Sequence, residues 1–173
     1  MKVLRVLSIA LALVALPTQA TDRFSEVVPG VLYRGPTPTS AAELSALVKA
    51  NGIRTIIDLD QGWKLTGFTL EKERTWRAVN GVEFVNDALS NLFKPSARRI
   101  RGIVADITAA EKPVFVHCLH GEDRTGLVIG AYRMLVEGWS FDRACAEMIA
   151  HGHSPGGWLG SWEAVLKELE SKP

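Results

Sequence analysis

The segment Val114–Gly130, "VFVHCLHGEDRTGLVIG", carries a thiol, Cys118, at the end of one apolar run and a guanidinium, Arg124, at the start of the next. A tight loop that feeds a helix turns successive backbone N–H groups toward one concavity, and the helix N-terminus adds its positive end. Such a cradle binds anions. Gly121 permits the backbone turn that aims these groups inward. Arg124 supplies a planar fork able to hold two phosphate oxygens at once, which a lysine cannot do. The positive site that captures a phosphate also favours the thiolate form of a cysteine, the form that acts as a nucleophile. His117 reads as a residue that orients the loop by hydrogen bonding, because a thiolate needs no base. The spacing therefore suits phosphate capture with a nucleophile beside it. A non-catalytic phosphate-binding module is the reading from another class.

Elements able to position this loop alternate along the chain. "GVLYRG" (30–35), "RTIIDLD" (54–60), "VEFVN" (82–86) and "PVFVH" (113–117) read as strands, the last as a buried central one. Helices are expected over 40–52, where Ser40 and Glu43 form a capping box, and over 69–81, with acids in its first turn and a terminal glycine. Further helices are expected over 96–110, 125–137, 141–151 and 161–169. The alternation predicts a single α/β domain with a mostly parallel sheet of about four to five strands and helices on both faces. Ligands bind beyond the carboxyl ends of such strands, which is where the loop lies.

The pattern His117-Cys118, Arg124-Thr125 resembles the H-C-x5-R-[ST] signature of cysteine-dependent phosphatases of the protein-tyrosine and dual-specificity class. "PGVLYRGPTPTSAAELSALVKANGIRTIIDLD" and "RTGLVIGAYRMLVEGWSFDRACAEM" resemble the opening and the C-terminal helices of a bacterial branch of that class, so the likeness covers nearly the whole chain after residue 20. Relatives of that branch include fungal enzymes acting on inositol pyrophosphates. The resemblance implies a metal-independent, cofactor-free phosphomonoester hydrolase of dual-specificity-phosphatase-like fold. In it Cys118 attacks phosphorus to give a cysteinyl-phosphate that water hydrolyses, and Thr125 assists thiolate departure. His117, Leu119, His120, Gly121, Glu122 and Arg124 would surround the bound phosphate. The general acid of the family lies about thirty residues before the cysteine, which points to Asp87; Asp123 inside the loop is the competitor. Phosphotyrosine-type and small phosphorylated substrates are expected, with inositol polyphosphates or phosphoinositides as the alternative. Lysines common at the loop positions of polyphosphate enzymes are replaced here by His120, Glu122 and Asp123. Extra cations would come from Lys64, Lys72 and Arg77, or from Lys94 near the Asp87 loop, whereas Arg98, Arg99 and Arg101 read as the solvated face of a helix.

Composition excludes other classes. The 173 residues include 47% hydrophobic and 23% charged side chains with a formal charge of +1, and no basic block suggests nucleic-acid binding. Lys2 and Arg5 precede an apolar stretch, and "PTQA" ends at a small residue, so residues 1–20 read as a signal peptide cleaved after Ala20. Residues 21–173 are then the catalytic domain, periplasmic or secreted and without a stable membrane anchor. A phosphorylated protein or small phosphoester is the expected partner. Cys145, among apolar residues at helical spacing, reads as a buried thiol; a disulfide with Cys118 needs close approach of the two chain segments. His151 and His153 read as a helix end rather than a metal site, and Trp63 as a candidate wall of the cleft.

Overall fold

The computed structural model describes residues 23–62, 67–156 and 162–170. Five strands, β1 (Ser25–Val28), β2 (Leu32–Pro36), β3 (Thr55–Asp58), β4 (Glu83–Asn86) and β5 (Val114–Cys118), form one sheet in the order β1-β2-β5-β3-β4. All neighbours run parallel except β1, an antiparallel edge strand on β2. The expected α/β architecture is therefore present, with β5 in the middle. The edge strand is the one element without a clear mark in the sequence: four residues, "SEVV", two of them polar, carry too little alternation to stand out.

Helices cover both faces. Helices α1 (Ala41–Asn51) and α2 (Leu70–Asn80) pack a small cluster around Tyr33, Leu44, Ile56 and Phe115. On the other face α3 (Ala97–Ala109), α4 (Asp123–Leu135), α5 (Phe141–Ala150) and α6 (Trp162–Glu170) build the larger core with Ile57, Val114 and Val116. Strand alternation sorts the site residues between these faces. Cys118 follows Val114 and Val116 toward α4, whereas His117 follows Phe115 toward α2. Trp63, Lys64 and the expected leader lie outside the described residues. Among the described residues no helix is long and apolar enough to cross a membrane.

Candidate active site

The backbone leading to Cys118 is clamped from both sides. In register, His117 lies opposite Gly35 of β2 and Asp58 of β3, and Cys118 lies opposite Pro36. Beyond the strand pairing, Thr37 N–H donates to the Cys118 carbonyl and Leu59 N–H to the His117 carbonyl, each at 2.8 Å. Cys118 itself is 2% exposed, at the floor of the loop. The chain then turns through Gly121, whose φ is +73°, and enters α4 at Asp123. A Ser or Thr side chain caps each of α1, α2, α3 and α5. Helix α4 has no side-chain cap, so its first N–H groups keep their capacity for an anion.

Arg124 stands in the first turn of α4, 8% exposed. Its Nη1 donates to Asp60 Oδ1 at 3.2 Å and to the Leu59 carbonyl at 3.4 Å. Both acceptors come from the exit of β3, where the Asp60 N–H in turn donates to Asp58 Oδ1 and Asn86 Nδ2 holds the Asp58 and Asp60 carbonyls. With one corner of the guanidinium anchored, its remaining N–H groups are left to meet phosphate oxygens. The Thr125 hydroxyl is fully buried beside it and has no hydrogen-bond partner.

His117 lies between two carboxylates. Its Nε2 is 3.0 Å from Glu73 Oε1 on α2, and its Nδ1 is 3.6 Å from Asp58 Oδ1, with Thr37 Oγ1 at 3.4 Å. Burial alone would favour the neutral ring, but Glu73 and Asp58 outweigh it and push the imidazole up to about 9. The ligand-type atoms of these three residues lie within 4.8 Å of one another, a proximity that suits a metal as well as an imidazolium held between two carboxylates. A histidine raised from 6.5 to about 9 stabilises the fold fully below pH 6.5 and loses that contribution as pH rises through 9. Asp58, which burial pushes up to about 6 against the pull of His117, titrates below that window. Urea unfolding of the protein at pH 6.5 and 9.5 should therefore show a loss of about 3 kcal/mol that His117→Gln largely abolishes. An equal loss in the variant would assign the slope to other groups.

The remaining sequence candidates fall in different places. Asp87 follows β4, buried, with Oδ1 accepting from Arg99 Nη2 of α3 at 2.9 Å. Burial raises its proton affinity against the pull of Arg99, and neighbouring Asp106 adds to the rise. Asp123 is turned outward: its Oδ1 meets His153 Nδ1 at 2.6 Å, and His153 Nε2 meets Glu163 of α6 at 2.9 Å. The histidine at 153 thus has two acidic partners that sequence adjacency did not show. Lys94, expected as an extra cation, is instead committed to Glu168 of α6 at 2.8 Å. Leu119 is half-buried and His120 exposed on the loop, and Glu122 pairs with Arg23. Cys118 and Cys145 are both free thiols, and Cys145 is half-buried rather than fully enclosed. Burial, with Glu163 and Asp142 nearby, pushes Cys145 up to about 11.

Sequence reasoning missed Arg34, Asp58, Asp60 and Glu73. The two aspartates were visible as "DLD" at a strand exit, and period two places Asp58 on the His117 face. Glu73 looked like an ordinary first-turn acid of α2, and nothing local marked it as buried.

A thiol and an arginine joined by a strand-loop-helix at the carboxyl end of a central strand define a class of cysteine-based phosphate sites. The family model for the dual specificity phosphatase catalytic domain matches residues 32–153, and the chain belongs to that family. It is 29% identical over 119 residues to the dual specificity protein phosphatase TpbA of Pseudomonas aeruginosa strain UCBPP-PA14, covering 68% of this chain and 49% of that protein. The chain thus spans about half the length of the curated relative. The fold resembles the core catalytic domain of the PP-IP phosphatase SIW14 from S. cerevisiae, with a TM-score of 0.70 at 19% identity, covering 86% of this chain and 89% of that one. It also resembles P. aeruginosa TpbA in a Cys-to-Ser form with phosphotyrosine, with a TM-score of 0.61 at 24% identity over 77% of this chain and 75% of that one.

Proposed function

We propose that this protein is an exported phosphomonoester hydrolase that works through a cysteinyl-phosphate on Cys118 and prefers single phosphate groups of the phosphotyrosine type. The loop N–H groups and Arg124 hold the phosphate, and the Cys118 thiolate attacks phosphorus as the ester oxygen leaves. Asp87, whose burial favours the protonated acid, gives its proton to that oxygen once Arg99 releases it. The carboxylate then takes a proton from the water that attacks the cysteinyl-phosphate, releasing inorganic phosphate and the thiolate. The buried Thr125 hydroxyl is placed to stabilise that departing sulfur. Export rests on the leader-like residues 1–20.

The observation that carries the preference is the charge around the loop. Lys94 is tied to Glu168, Arg99 to Asp87 and Arg23 to Glu122, while Asp60 already occupies part of Arg124. His151, beside Gly121 and Glu122, is pushed toward its neutral form by burial and by Arg34. Among the described residues, a polyphosphorylated inositol would meet these carboxylates with the nearby Lys94, Arg99 and Arg23 already paired, whereas a single phosphate needs only the cradle. The likeness to TpbA supports the same reading, and the SIW14-like fold supports the alternative of an inositol polyphosphate substrate. Phosphate release from a phosphotyrosine peptide and from inositol hexakisphosphate, measured with chelator present, decides between them. A kcat/KM for the peptide about a hundredfold higher, roughly 3 kcal/mol of discrimination, is expected. The reverse order would give the site to polyphosphates.

A further inference from the structure

Arg34 is 1% exposed, in a strand whose local pattern marks it only as part of the sheet. It sits on β2 opposite Val116 of β5 and shares the face of Leu32, so its side chain runs toward the underside of the phosphate loop and the first turn of α4. Its Nη2 donates to the Gly121 carbonyl at 3.0 Å. A Cβ added at Gly126 would stand 3.7 Å from the same nitrogen, so the glycine lets the guanidinium lie close under α4. Its Nη1 is buried with no protein partner, which is costly unless a nearby negative charge compensates. Cys118 and Glu147 both favour the charged form; burial pulls the group down to about 10 against them, so Arg34 remains a cation at neutral pH.

We propose that Arg34 is a positioning residue of the site: it fixes the Gly121 carbonyl from beneath the loop and supplies a buried positive charge that favours the Cys118 thiolate. Across a trans peptide the N–H of Glu122 points opposite to the Gly121 carbonyl. Holding that carbonyl on Arg34 therefore turns the N–H away from Arg34 and into the anion cradle. One side chain thus sets both the direction of a phosphate donor and the charge state of the nucleophile. The inference rests on the phosphate-loop reading of the site, but its two effects are separable.

The test uses the full mature chain as wild type, Arg34→Met and Arg34→Lys, with folding checked by circular dichroism and thermal unfolding. Iodoacetamide alkylation of Cys118, located by peptide mass, needs no substrate and reads the thiolate directly. Inorganic phosphate, as a protector against that alkylation, reads the cradle. Arg34→Met should slow alkylation at pH 6.5 about tenfold and weaken phosphate protection about tenfold, whereas Arg34→Lys should keep alkylation within about threefold while still weakening phosphate. A folded Arg34→Met with wild-type values in both would overturn the proposal. Should Arg34→Met fail to fold, unchanged phosphate protection in Arg34→Lys would overturn the positioning role. If the wild type itself shows no phosphate protection, the phosphatase reading fails, and the alkylation rates still decide the electrostatic role of Arg34.

Discussion

Cys118→Ser should abolish phosphate release, by about 10⁴-fold or more, while inorganic phosphate still binds. The two effects separate because the residue has two neighbours of different kinds. The proposed anion cradle consists of backbone N–H groups and Arg124, whose guanidinium is anchored by Asp60 and by the Leu59 carbonyl rather than by the thiol. Serine is close to cysteine in size and occupies the same floor position, clamped through its backbone by Thr37. What it lacks is nucleophilicity: a serine hydroxyl stays protonated near neutral pH unless a base is placed beside it. His117 is not such a base. It faces α2, protonated between Glu73 and Asp58. Phosphate binding by isothermal titration beside turnover of a phosphotyrosine peptide checks this. Turnover surviving in Cys118→Ser would move the nucleophile elsewhere; loss of binding would mean the thiol shapes the cradle.

The residues proposed to carry this chemistry are legible as a group because they are contiguous. Seven residues from Cys118 to Arg124 contain the proposed nucleophile, the turn and the fork, and local rules for strands, glycines and helix starts suffice to place them. The parallel sheet was legible for a related reason: β3 and β5 are apolar and β-branched enough to mark buried strands. The supporting shell was not. Glu73 reaches His117 across 44 positions of sequence, and Asp60 reaches Arg124 across 64. Each looked like a solvated acid locally, and only the pairing of β3 with β5 and the packing of α2 bury it. Lys94 shows the same limit from the other side, since its closeness in sequence to Asp87 said nothing of Glu168 on α6. Helix α4 begins two residues earlier than the apolar pattern implied, because an uncapped start next to an anion cradle carries no Ser or Thr signal.

Gly121→Ala should be the most damaging single-atom-scale change outside the nucleophile, costing about 2–4 kcal/mol of stability and about a hundredfold or more in kcat/KM. Two penalties add there. A non-glycine residue at φ +73° is strained by itself, by about 1 kcal/mol. A Cβ would also stand 2.5 Å from the Gly35 carbonyl carbon and 2.7 Å from its oxygen and from the Pro36 nitrogen. These are backbone atoms of the strand that pairs with β5, so no side chain can rotate away. The loop must lift from β2 by about an ångström, enough to disturb the Arg34 contact to the Gly121 carbonyl and the aim of the N–H groups toward phosphate. Gly52 offers the control. It closes α1 at φ +64°, and a methyl group there would meet nothing within 4 Å, so Gly52→Ala carries the backbone penalty without the collision. Urea unfolding and phosphotyrosine peptide turnover of the two variants side by side separate the terms. Gly52→Ala should lose about 1 kcal/mol and keep its activity. If Gly121→Ala behaves the same way, the loop tolerates displacement from β2, and its contact with Gly35 does not set the geometry of the cradle.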